Sequence, residues 1–230
     1  MSERLLSPYK KTHREVEAIL SKLPTPIISP ITGDAIWTTN FNEKNPFEET
    51  EDDYLLAISP LGKNIIKDLS SFLASMEAGN FEPVINGLDQ ITGLRGVVKK
   101  IKIGNMFFGH DVFVKTLKPI AEPYIDTTGI EQFTAMRLLE ENGIAVASPL
   151  LATNYRIVTM AIDGKQIENE NSPDFISYLE KIRKVSETLV DQQLWNKEWL
   201  IENNPSNYFE TNNGIVAIDP IYKHPVLFLG

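Results

Sequence analysis

Five polar side chains stand out by type and place: Lys115, Glu131, Glu202, Asn207 and Asp219. Lys115 lies inside the apolar run Val112-Phe113-Val114-Lys115-Thr116-Leu117, where an ammonium group is costly to bury without an anionic partner. On an edge strand the same lysine would keep its head in water and bury only its stem. Glu131 is either the carboxylate that pairs with Lys115 or the third residue of a capping box begun by Thr128. Near the end, the stretch LIENNPSNYFETNNGIVAIDP sets Asn207 after a Pro-Ser turn at the head of one strand and Asp219 at the end of the returning strand. An Asn and an Asp delivered side by side from the two arms of a hairpin form a hard-oxygen pair suited to Mg2+, and Glu202 adds a carboxylate on the same loop. The plainer role for Asn207 and Asp219 is to fix turns by bonding to backbone. Gly93 and Gly96 stand ahead of a strand and can form a tight lid whose N–H groups approach phosphate oxygens; an ordinary hairpin turn has the same pattern.

The elements that must position these groups follow from periodicity. Residues 8–22 and Pro60 to about Met76 carry apolar stripes at helical spacing. Between them, Pro24, Pro26, Pro30, the Thr32-Gly33-Asp34 turn and an acidic stretch from Asn42 to Asp53 predict irregular surface chain. Val97–Ile103, Asp111–Leu117 and Tyr155–Ile162 predict strands, rich in β-branched residues. Thr128–Glu141 predicts a helix with a Thr-x-x-Glu start and a stop at Asn142-Gly143. Residues 173–194 predict a long amphipathic helix burying Phe175, Leu179, Ile182, Val185, Leu189 and Val190. Asn207–Phe209 and Gly214–Ile218, joined by Asn212-Asn213-Gly214, predict a closing hairpin. Strands, a helix, another strand, a long helix and a hairpin make an α+β fold in two lobes.

The chain has 230 residues, ample for a core, with 42% hydrophobic and 23% charged residues, the balance of a soluble globular protein. Asp and Glu number 31 against 22 Lys and Arg, a formal charge of −9, which argues against bulk attraction to nucleic acid or anionic membrane. The absence of cysteine excludes disulfides, thiolate metal sites and cysteine nucleophiles. No apolar run approaches the roughly 18–20 residues needed to span a bilayer. The N-terminal MSERLLSPYKKTHRE lacks the apolar core of a secretory signal. The expectation is a cytoplasmic protein with no membrane and no nucleic-acid partner, export without a cleavable signal being left open.

Together these pieces resemble the protein-kinase-like fold, including its aminoglycoside-phosphotransferase branch and the short bacterial and phage kinases. Gly93-x-x-Gly96-x-Val98 resembles the end of the Gly-rich loop, and Val112-Phe113-Val114-Lys115 the strand that carries the phosphate-binding lysine. Glu131 falls where the helix glutamate would pair with it. Tyr155–Gly164 is similar to the strand and hinge that hold adenine, with backbone at Met160, Ala161 and Ile162. Glu202-Asn203-Asn204-Pro205-Ser206-Asn207 resembles the catalytic loop, and Asp219 the metal-binding Asp of the Asp-Phe-Gly motif. The resemblance covers about residues 85–225. It implies residues 1–80 as a partly helical N-terminal extension and residues 81–230 as a minimal kinase-like domain. Within that domain the N-lobe is about 81–160 and the truncated C-lobe about 164–230. ATP and Mg2+ are the implied cofactors, a nucleotide and a protein partner or substrate the implied ligands.

The departures are specific. Ile91 stands where the first glycine of the loop would be. Phe113 stands where a small residue lines the adenine pocket, either filling the site or giving the base an aromatic wall. Leu200 replaces the catalytic-loop histidine, Glu202 its aspartate, and Pro220-Ile221 follows Asp219 in place of Phe-Gly. The resemblance implies a phosphotransferase acting on a hydroxyl, protein Ser/Thr among the candidates. In that reading Lys115 and Glu131 orient phosphates, Asn207 and Asp219 hold Mg2+, and Glu202 takes the proton. A pseudokinase acting as a binding module, with the first eighty residues as its partner-binding element, and an α+β interaction protein without kinase ancestry are the two rival readings. The last requires an exposed Lys115 and an Asp219 distant from Asn207.

Overall fold

Short β-branched and aromatic runs supply most of the strands among the described residues, because their side chains pack well on a pleated surface. The computed structural model describes residues 25–39, 54–66, 88–93, 96–101, 110–117 and 127–223. The expected helix over 8–22, the acidic stretch over 42–53 and the continuation of the second helix over 67–76 lie outside these residues. No helix among the described residues is long and apolar enough to cross a membrane.

Eight strands make one sheet: β1 (Ile27–Ile28), β2 (Ala35–Thr39), β3 (Tyr54–Ile58), β4 (Leu88–Gly93), β5 (Gly96–Ile101), β6 (Val112–Leu117), β7 (Pro149–Thr153) and β8 (Arg156–Met160). Their spatial order is β1-β2-β3-β7-β8-β6-β5-β4, and every neighbouring pair is antiparallel. Sequence alone left β1, β2, β3, β4 and β7 unseen. The proline- and acid-rich segment read as irregular chain contributes two of the eight strands, and β3, which follows it directly, pairs with β7 through Leu56↔Thr153, Ala57↔Ala152 and Ile58↔Leu151. This pair joins residues on either side of position 80. Short helix α1 (Pro60–Ile65) follows, and Ile66 leaves it in an extended conformation.

Helix α2 (Gly129–Glu141) begins with the capping box expected of Thr128 and Glu131 and ends where Gly143 takes a φ of 75°. It is buried on almost every side, with Phe133, Met136 and Leu139 fully enclosed. Its start lies against the β7–β8 turn: the Gly129 N–H donates to the Asn154 carbonyl at 2.7 Å. A Cβ at Gly129 would stand 2.2 Å from the Thr153 carbonyl oxygen, so only glycine permits this approach. Further along α2, the buried Arg137 donates to Asp34 Oδ1 at 2.9 Å and to the Thr32 carbonyl at 3.0 Å, and it pairs with Glu140 and Glu141 on its own helix. The turn Thr32-Gly33-Asp34 is thus clamped to α2.

Helix α3 (Pro173–Asp191) buries Phe175, Leu179, Ile182, Ser186 and Leu189 along one face, while Val185 and Val190 pack at its margin. Two small sheets complete the fold. Strands β9 (Lys165–Gln166), β11 (Tyr208–Thr211) and β12 (Gly214–Ala217) form one, in the order β12-β11-β9. Strands β10 (Trp199–Ile201) and β13 (Ile221–Lys223) pair antiparallel to form the other. A parallel bridge between Val146 and Ala217 joins the chain after α2 to the end of β12. The architecture is mixed α+β.

Two outcomes follow from this packing. Gly129→Ala should destabilise the chain by about 1–3 kcal/mol in urea unfolding, because the added methyl must push α2 off the β7–β8 turn; an unchanged midpoint would disprove the close approach. Burial is the largest influence on the Asp34 carboxyl and raises it above its ordinary 3.8, against hydrogen bonds from Thr32 and Arg137 that lower it. The native chain then holds more protons than the unfolded one between 3.8 and the folded midpoint, so this group's contribution to stability is full below 3.8 and lost as pH rises through that midpoint. A carboxyl-carbon NMR titration should find Asp34 titrating above 3.8.

Candidate functional site

The loop that carries Glu202 and Asn207 is held at both ends. Strands β10 and β13 bring Ile201 opposite Ile221, and β11 and β12 bring Tyr208 opposite Ala217. Between these pairs, the Glu202 N–H donates to the Pro220 carbonyl at 2.8 Å, and the Ile218 N–H donates to the Asn207 carbonyl at 2.9 Å. Residues 202–207 therefore lie beside 218–220, and Asp219 sits between the two backbone ties. Pro205–Asn207 forms a single 3-10 turn, capped by the Asn204 side chain, which accepts from the Ser206 N–H at 3.1 Å. The Asn207 side chain is half-buried at the end of that turn.

Glu202 is buried, and its Oε1 accepts from the N–H groups of Asn203 and Asn204 at 3.0 and 3.1 Å. Its carbonyl accepts the Tyr208 hydroxyl. Burial pushes the Tyr208 phenol above its ordinary value, with the nearby Tyr178, Glu202 and Asp219 adding to the shift, so Tyr208 remains a donor. Tyr208 packs edge-on against Phe175 and Tyr178, which anchors the loop to α3.

Lys115 comes to this loop from β6. Only 6% exposed, it is placed by its register opposite Val98 and Ile157. Its Nζ lies 2.5 Å from Asp219 Oδ2, with Asp219 itself 7% exposed. The second carboxylate oxygen, Asp219 Oδ1, is buried and makes no hydrogen bond. Two positions away on the same strand, the Phe113 ring is also buried and meets Phe209 of β11 at a centroid distance of 6.1 Å. The lysine strand and the Asp219 hairpin thus touch through one ion pair and one ring pair.

Glu131 is not the partner of Lys115. Its Oε2 accepts the Thr128 N–H at 2.8 Å, and its Oε1 pairs with Lys223 at 2.7 Å. A capping-box glutamate must reach back to the helix start, so it cannot also face the sheet. The next residue, about 100° further round the helix, does. Gln132 Oε1 accepts from Lys115 Nζ at 3.2 Å, and its Nε2 donates to Thr127 Oγ1 at 2.8 Å. Sequence reasoning missed Gln132, although Thr128 as helix cap already implied which position would turn inward.

Other expected residues take these places. Gly93 and Gly96 pair across the end of the β4–β5 hairpin, and the Val98 backbone pairs with Ile91 and Lys115. Of the expected hinge donors, the Met160 N–H goes to the Ser148 carbonyl at 2.9 Å and the Ala161 N–H to the Asp111 carbonyl at 3.0 Å. Two of the three residues whose backbone was expected to meet adenine therefore have their N–H groups already bonded within the fold. Ile162 packs against the core.

A cation fits this donor set only in part. Asp219 and Asn207 are hard-oxygen ligands, and the unbonded, buried Asp219 Oδ1 is the kind of atom a cation would satisfy. Among the described residues, no group of three or more His, Cys, Asp or Glu could hold a metal. Phosphate oxygens would have to complete its coordination, as is usual for Mg2+.

No protein-family model matches the chain, and no curated protein matches it. Among solved structures, the chain is similar to the amicoumacin kinase hAmiN in complex with AMP-PNP, Ca2+ and Ami: 12% identity, TM-score 0.37, 57% of each chain covered. It is also similar to the Rio2 kinase from Chaetomium thermophilum in an ADP/Mg2+-phosphoaspartate complex: 14% identity, TM-score 0.41, covering 64% of this chain and 51% of that one. The chain spans a little over half the length of these structures.

The Glu202 geometry generates its own test. Glu202→Ala removes an acceptor from two backbone N–H groups in a tightly turned loop, and should lower stability by about 1–3 kcal/mol in urea unfolding. A fall below about 0.5 kcal/mol would mean that the carboxylate does not organise the loop.

Proposed function

We propose that the chain is a kinase-like phosphotransferase that uses ATP and Mg2+ to phosphorylate a hydroxyl. The single observation that carries this reading is the meeting of Lys115 with Asp219, beside a loop that also presents Glu202 and Asn207. A lysine, an aspartate, an asparagine and a loop carboxylate are the parts phosphoryl transfer needs, since its catalysis is mainly positioning and charge stabilisation. The antiparallel order β4-β5-β6-β8-β7, with Lys115 on its third strand and α2 following that strand, supports the same reading.

In this reading Lys115 binds the α- and β-phosphates, and Gln132 orients it in place of a glutamate. Asn207 and Asp219 hold the cation, which supplies charge neutralisation between the phosphates. The acceptor oxygen attacks the γ-phosphorus, the bond from phosphorus to the β-bridging oxygen breaks, ADP leaves, and the hydroxyl proton passes to Glu202. The β4–β5 hairpin covers the phosphates. Residues 81–160 and 164–230 then act as the two lobes, with β1–β3 widening the sheet of the first. The acceptor class is a hydroxyl, with protein Ser/Thr as one candidate and a protein as partner or substrate.

A pseudokinase is the second reading, favoured by the Phe113–Phe209 contact and by the engaged Met160 and Ala161 amides. An interaction protein of unrelated ancestry would need an exposed Lys115, which the 6% exposure of that residue opposes.

Isothermal titration of ATP with and without Mg2+ separates the first two. Phosphotransfer predicts magnesium-dependent binding that Asp219→Ala destroys, and Lys115→Met should cut transfer at least about 100-fold. Magnesium-independent binding, or none, favours the pseudokinase, and full transfer by Lys115→Met would show that the roles are misassigned.

A further inference from the structure

Gln132 is 3% exposed, and its two hydrogen bonds define its orientation. A lysine only donates, so the amide oxygen faces Lys115 and the amide nitrogen faces the Thr127 hydroxyl. This holds the lysine in direction without neutralising it. Among the described residues, the carboxylate paired with Lys115 is Asp219. A buried ammonium cannot leave its counter-ion unless another anion replaces it, and the same holds for a buried carboxylate and a cation.

The geometry points to Gln132 as a positioning residue that couples cation binding to polyphosphate binding. Because Gln132 is neutral, Lys115 stays latched on Asp219 until a polyphosphate takes the lysine. Asp219 Oδ1 is unbonded, but a divalent cation there with Lys115 still on Oδ2 would set three positive charges against one carboxylate, so Asp219 holds the cation tightly only when the lysine is released in that exchange. Cation alone must either displace Lys115 or share its carboxylate, and both leave buried positive charge under-compensated, whereas a nucleoside polyphosphate and cation arriving together give the lysine and the aspartate each a new counter-charge. The inference rests on the phosphotransfer reading of the site, but concerns the order and coupling of ligand binding.

The test is Mn2+ binding to the full chain, followed by the paramagnetic resonance signal of free Mn2+, with and without ADP and corrected for Mn–ADP formed in solution. Wild type should bind Mn2+ weakly alone and at least about tenfold more tightly with ADP. The carboxylate introduced by Gln132→Glu competes for Lys115 and frees Asp219, so this variant should bind Mn2+ alone about tenfold more tightly than wild type, with most of the ADP coupling lost. Lys115→Gln removes the latch from the other side and should also tighten Mn2+ binding in the absence of ADP. Circular dichroism checks that each variant folds, and either one alone decides the matter. If a folded variant binds Mn2+ alone no more tightly than wild type, the inference is overturned, while Mn2+–ADP binding by wild type would leave the phosphotransfer reading standing. If wild type binds neither Mn2+ nor ADP in any combination, both fall together.

Discussion

A buried lysine needs a counter-charge, and in this protein much of the architecture converges on supplying one. Lys115 lies in a strand buried on both faces, where an unmatched ammonium would be expensive to keep. Its partner, Asp219, is held by the ladder of β10 with β13 on one side and of β11 with β12 on the other. The flanking bonds from Glu202 to Pro220 and from Ile218 to Asn207 leave the aspartate little room to move. Loop, hairpin and central sheet are therefore coupled through one ion pair, with the Phe113–Phe209 contact as its apolar companion.

The helix behind the lysine is fixed just as firmly. At its start, Gly129 lets the backbone press against the β7–β8 turn. Towards its end, Arg137 fastens it to the turn before β2 through Asp34 and Thr32. A buried arginine that bonds a carboxylate and a carbonyl from another segment specifies one arrangement of the two, since any slip strands a charge. The first strands of the chain, remote in sequence from Lys115, thus share in holding the helix that presents Gln132 to it.

Periodicity made the two long helices and the closing hairpin legible, because α2 carries its own cap and stop and α3 a single apolar face. Strand β6 was legible for its β-branched run. Strands β1–β3 were not, since prolines, a turn and nearby carboxylates hide two- and five-residue strands whose stability comes from pairing. Strand β7 opens with a proline and is too short and apolar for its period to be read. At the site, the types of Lys115, Glu202, Asn207 and Asp219 marked them for attention. Of the two roles open to Glu131, the capping box is the one realised, and Gln132 beside it faces Lys115, a choice that depends on helical phase rather than charge. Nor could residue type reveal that the Met160 and Ala161 amides are engaged, since those bonds reach across the fold to Ser148 and Asp111.

The bridge at Ala217 adds a temporal dimension. Ala217 bonds to the segment after α2 through both its N–H and its carbonyl, with Ala145 and Ala147 as partners. On a ribosome, β6 emerges about a hundred residues before Asp219. A chain that has completed the central sheet and α2 but not the hairpin therefore carries a lysine in an apolar strand with no carboxylate to meet it. Contacts so far apart in sequence are slow to close, because the loop entropy comes before the reward. Closing these late contacts is what joins the cleft, the helix behind it and the loop beside it.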